Sequence, residues 1–66
     1  MSDNEHIMQF FAHAHLPEEA AAVSRPFGEL AERLIDTLPR NPERSVALRK
    51  LLEAKDAAVR AHLARH

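Results

Sequence analysis

The stretch "LPRNPERSVALRKLLEAKDAAVRA" (Leu38–Ala61) decides how this chain is organised. Leu38 closes an apolar run, and Pro39 and the polar residues after it end whatever helix precedes them. "PRN" reads as a tight turn. Asn41 is a good N-cap, because its side-chain oxygen can accept from a free N–H of the next turn. Pro42 fits the first helical position, where its missing N–H has no partner to lose, and Glu43 suits the positive end of the helix dipole. Nothing from there to about Ala64 breaks a helix. The spacing therefore predicts a helix over about 42–64, with Arg44 in its first turn beside unpaired backbone N–H groups.

Working outward, Pro17, Glu18 and Glu19 mark a second helix start by the same rules. Val23, Phe27, Leu30, Leu34 and Leu38 follow at steps of 4, 3, 4 and 4, an apolar stripe on a helix over about 17–38. Pro26 lies inside it. Proline removes a backbone donor and clashes one turn back, so a kink near Ala22 or a break is expected, with Ser24 capping a restarted helix. Asp3 or Asn4 can cap a short N-terminal helix ending at Phe10 or Phe11. The C-terminal helix carries two neighbouring stripes. One is Ala47, Leu51, Ala54, Ala58 and Ala61; the other is Leu48, Leu52, Val59 and Leu63, with Lys55 in the gap. Asp56 before Arg60 is a favourable i,i+4 pair.

The fold class is all-α: an antiparallel two-helix hairpin forming one domain over residues 1–66. Each helix is about 22 residues, or about 33 Å. One partner helix covers one stripe, so the alanine-rich stripe needs another chain. A homo-oligomer is expected, since a chain of 66 residues is marginal alone.

Without cysteine, disulfides and thiolate metal sites are out. No apolar run approaches the roughly 20 residues of a membrane span, and the acidic N-terminus lacks a signal peptide's basic region. A cytoplasmic protein with no membrane partner is expected. The net charge of −1 hides an asymmetry: residues 1–38 carry seven acids against Arg25 and Arg33, and residues 39–66 carry seven cations against three acids. This reads either as two helices attracting each other or as a basic half that holds a small anion. Binding to DNA or RNA duplexes is disfavoured by the negative total.

Three chemistries are conceivable for these residues. No nucleophile elbow, phosphate loop or paired-carboxylate arrangement occurs, so no enzyme and no cofactor is expected. His13 and His15 form an H-x-H, but two ligands do not close a metal site. The start of the C-terminal helix offers N–H groups, a positive dipole and the bidentate fork of Arg44, which suit a phosphate. On a threefold axis three such starts would match a ring of three phosphates. The plainer reading pairs Arg44 with Glu43 or an acid on the first helix. The segment "QFFAHAHLP" offers Phe10, Phe11, His13 and His15 as flat surfaces for a base, with Arg25 as a cation for phosphate. The plainer reading puts the phenylalanines in a core.

"HLP" (His15–Pro17), "VSRPFGELAERLIDTLP" (Val23–Pro39) and "NPERSVALRKLLEAKDAAVRA" (Asn41–Ala61) together resemble the helical-hairpin proteins by which phages sequester nucleotide immune signals. These are the type two anti-CBASS proteins, whose hairpin is shared with Thoeris anti-defence sponges. The resemblance runs from about Phe11 to Leu63 and is most specific over Asn41–Ala61. It implies a homohexamer, in host cytoplasm if phage-encoded, that binds cyclic dinucleotides between protomers and cyclic trinucleotides on its threefold axis, without cleavage. The family's dinucleotide pocket uses a tyrosine and a lysine. The lysine's counterpart here is Arg25. The aromatic's counterpart is His13, or Phe11, since the chain has no tyrosine. The trinucleotide pocket implies Arg44, with Ala47, Leu48 and Leu51 one to two turns on and Ser45 supplying a hydroxyl where the family has threonine. The alternative is a structural oligomerisation module without a small ligand.

Overall fold

The computed structural model describes residues 6–12 and 16–64. A 3-10 helix, His6–Phe11, is followed by α1 (Glu18–Thr37) and α2 (Pro42–Ala64). No strand occurs among the described residues. The long helices fall within one residue of their expected bounds. Caps expected at Asp3 or Asn4 lie outside the described residues.

Each boundary has a local cause. Pro17 sits just outside α1 in an extended conformation (φ −54°, ψ 153°), and its carbonyl accepts from the Ala21 N–H at 2.8 Å. It is the cap rather than the first helical residue. At the other end the Leu38 N–H still reaches the Leu34 carbonyl at 2.9 Å, and the Thr37 hydroxyl donates to the Arg33 carbonyl at 2.8 Å. Pro39 then stops the ladder. Asn41 caps α2 as its residue type predicts: its Oδ1 accepts from the Arg44 N–H at 2.9 Å.

Contacts at both ends fix the antiparallel arrangement. Arg44, at the start of α2, donates to α1 carbonyls at Ile35 and Leu38. His62, near the end of α2, lies 3.5 Å from Glu19 in the first turn of α1. The two helices thus run level in reverse order along their whole length.

Two expectations about α1 are corrected. The helix is unbroken through Pro26, and Ser24 is an interior residue, fully buried, not a cap. Proline costs α1 the hydrogen bond to the Ala22 carbonyl. Ala22 is exposed, so water can serve that carbonyl and no break is needed. The second correction concerns rotation. The face of α1 buried in the hairpin is the line of small residues, Ala20, Ala21, Ser24, Gly28 and Ala31. The large-residue stripe stands to one side: Leu30 and Leu38 are 40% and 39% exposed, while Val23, Phe27 and Leu34 are half-buried. Small side chains let neighbouring backbones approach, and the space is filled by residues from elsewhere.

Phe11 supplies part of that filling. It is 3% exposed and forms the core with the fully buried Ala31 and Leu48, flanked by Ile7, Met8, Phe27, Leu34, Ile35, Leu51 and Leu52. Gly28 makes its seat: a Cβ there would stand 3.3 Å from the Phe11 carbonyl oxygen. The N-terminal 3-10 helix therefore covers one face of the hairpin. Among the ion pairs of α2, Asp56 meets Lys55 at 3.0 Å rather than Arg60 as its spacing suggested, and Lys50 meets Glu53 at 3.9 Å. No described helix is long and apolar enough to cross a membrane.

Candidate functional site

The start of α2 is built differently from the anion site its sequence suggests. Pro42 has no N–H to offer. The Arg44 amide is held by Asn41, and the Ser45 amide donates to the Asn41 carbonyl at 3.3 Å. The guanidinium of Arg44 turns inward. It is 6% exposed, and its Nη1 donates to the Ile35 carbonyl at 3.3 Å and to the Leu38 carbonyl at 3.2 Å. The cause is Pro39. In a continuing helix the Ile35 carbonyl would accept from residue 39, which here is a proline with no N–H. Arg44 replaces that donor from the next helix. These two bonds tie it to the backbone at the end of the first helix.

The other residues expected around Arg44 divide. Leu48 is fully buried in the core and lines no open mouth. Leu51 packs half-buried against the same core, Ala47 is half-buried, and Ser45 is exposed. In the single chain these five residues do not converge on one concavity. Leu48 faces α1, whereas Ser45 faces solvent.

The N-terminal segment holds together better. Arg25 is exposed on α1, three residues and so one turn before Gly28. Gly28 seats the Phe11 backbone, so the end of the 3-10 helix docks one turn along α1 from Arg25. The two phenylalanines divide between the two readings. Phe11 is spent on the core, whereas Phe10 is 51% exposed, with its ring 6.0 Å from that of His6 in an edge-to-face arrangement. Gln9 adds an amide within 2.9 Å of the His6 ring. His13, the other expected aromatic, and its neighbour His15 lie outside the described residues. Sequence reasoning could not choose between Phe10 and Phe11. The 3-10 helix, two turns long, decides which of two adjacent rings faces inward.

Two further polar groups escaped the sequence reading. The Ser24 hydroxyl is fully buried and has no hydrogen-bond partner among the described residues. Lys55 is almost fully buried between the helices, its ammonium meeting Asp56. The only available signal was the gap Lys55 leaves in its apolar stripe.

The fold and site define the class: an all-α helical hairpin with a docked N-terminal 3-10 helix. Compared with known proteins, the chain matches no family model, no curated protein and no solved structure.

Proposed function

We infer that this chain is a non-catalytic, oligomeric sponge for cyclic oligonucleotide signals, blocking CBASS-type antiviral signalling by holding its messenger intact. The observation that carries this reading is the seat of the Phe11 backbone on Gly28, one turn along α1 from Arg25, together with the exposure of both Arg25 and the Phe10 ring. A base stacks on a ring and a phosphate takes a guanidinium fork, the two recognitions a cyclic dinucleotide needs. A twofold ligand suits a twofold interface, where each protomer supplies the same pair once. The sequence resemblance to the phage hairpin sponges supports the same ligand class. For a trinucleotide, Ser45 is the exposed one of the five residues expected there, and Arg44 would have to leave the Ile35 and Leu38 carbonyls to take part.

A second reading, a structural oligomerisation module, is favoured by one observation: Arg44 and Leu48 are both engaged in holding the hairpin together. Calorimetry against a panel of cyclic di- and trinucleotides separates the two. The sponge reading expects heat with a dinucleotide, and intact nucleotide released on denaturing the complex. A panel without heat leaves the structural module, and a cleaved nucleotide makes the protein an enzyme.

A further inference from the structure

Among the described residues, the 3-10 helix covers one face of the hairpin and no other element covers the opposite face. At about 100° per residue, Val23, Phe27, Leu30 and Leu34 share an arc of α1 turned about 90° from the buried Ser24–Ala31 line. On α2, Ala47, Ala54 and Ala58 are turned by a similar angle from the Leu48–Lys55 line. Because the helices are antiparallel, both rows turn to the same side, away from the side on which Gly28 seats the 3-10 helix. The result is an apolar face with a ridge of large side chains on α1 and a trough of alanines on α2.

We propose that this face pairs with the same face of a second copy, α1 of each chain lying along α2 of the other to form a four-helix bundle. Two observations select that occupant and that pairing. The first is size matching. The Arg44–Ile35 and His62–Glu19 contacts set which residues of the two helices lie level. Val23 is level with Ala58, Phe27 with Ala54, and Leu34 with Ala47. A twofold axis parallel to the helices keeps those levels, so Val23, Phe27 and Leu34 of one copy each meet an alanine of the other, and Leu30 meets Leu51. The second is charge. α1 carries five acids against two arginines, and α2 five cations against three acids. Laying α1 on α2 of the partner sets unlike charges together; laying α1 on α1 does not.

This pairing does not depend on nucleotide binding, so the test is run without nucleotide and its outcome is separable from the calorimetric panel. The chain has no cysteine, so single thiols can be placed at will. Val23→Cys and Ala58→Cys variants, given different mass tags, are mixed and oxidised. The expected product is the mixed disulfide, identified by intact mass, in excess over either self-linked dimer. A Leu30→Cys variant should link poorly to itself, because the two α1 helices lie diagonally across the bundle. Ala54 is exposed in the single chain, so Ala54→Arg has room in a monomer; it should abolish the assembly seen by light scattering. A wild-type protein of monomer mass, dominant self-linking through Leu30→Cys, or normal assembly of Ala54→Arg would each overturn the proposal.

Discussion

The Arg44 guanidinium donates to the Ile35 carbonyl at 3.3 Å, the carbonyl that Pro39, four residues on, cannot serve. One residue type therefore ends α1 and another, at the start of α2, repairs the ending. This makes Arg44 a strut of the hairpin. Arg44→Ala should lose about 2–3 kcal/mol of stability, since charged hydrogen bonds are removed and part-buried carbonyls are left unserved. Arg44→Lys should recover only part, because an ammonium lacks the planar fork that spans two acceptors. Urea denaturation at one fixed chain concentration measures both. An Arg44→Ala variant as stable as wild type would show that the two carbonyls find other donors.

Phe10 and Phe11 provide a matched pair. Phe11→Ala empties a core position and should cost about 3–5 kcal/mol, enough to unfold so small a domain. Phe10→Ala removes a half-exposed ring and should change stability by no more than about 0.5 kcal/mol. If Phe10 stacks on a base, the same change should weaken dinucleotide binding by about 1–3 kcal/mol. Circular dichroism melts and calorimetry on one preparation read both quantities. Unchanged affinity would remove Phe10 from the site.

Gly28 tests how the 3-10 helix is seated. Alanine there gains about 1 kcal/mol of helix propensity but pushes on the Phe11 carbonyl, 3.3 Å from the new Cβ. The two effects should nearly cancel. Valine adds two methyl groups to the same seat and should cost about 1–3 kcal/mol by overpacking. Hydrogen exchange should show loss of protection over Ile7–Ala12 in Gly28→Val while α2 keeps its own. A uniform change along the chain would mean that the 3-10 helix is not held at Gly28.

The hairpin was legible because its signals are local. Asn41, Pro42 and Glu43 specify a helix start within three residues, and Pro39 specifies the preceding stop. The rotation of α1 was not legible. Its periodicity allows either the large stripe through Leu30 or the small one through Gly28 to face α2. The choice depends on Phe11, which fills the space left by small residues and lies outside the helix. Arg44 was singled out by position, but its use was hidden, since the carbonyl it serves is orphaned by a proline in another element. Arg25 is exposed as a ligand-binding cation must be, while of the two aromatics expected with it Phe11 is in the core and His13 lies outside the described residues.

Ser24 carries the last prediction. Its hydroxyl is fully buried in the α1–α2 interface without a partner among the described residues. Burying an unpaired hydroxyl costs about 1–3 kcal/mol on protein mutational scales. Alanine at the same position removes that penalty, keeps the Cβ that packs against α2, and is a better helix former by about 0.5 kcal/mol. Ser24→Ala should therefore be more stable than wild type by about 1 kcal/mol, seen as a higher urea midpoint with an unchanged slope. Ser24→Val should not share the gain, because its extra methyl enters a line of small residues that sets the helix spacing. A loss of stability in Ser24→Ala would mean that the hydroxyl is satisfied in solution, for instance by a buried water bridging towards Lys55, which lies level with it on α2. The hairpin would then contain a polar layer rather than a buried defect.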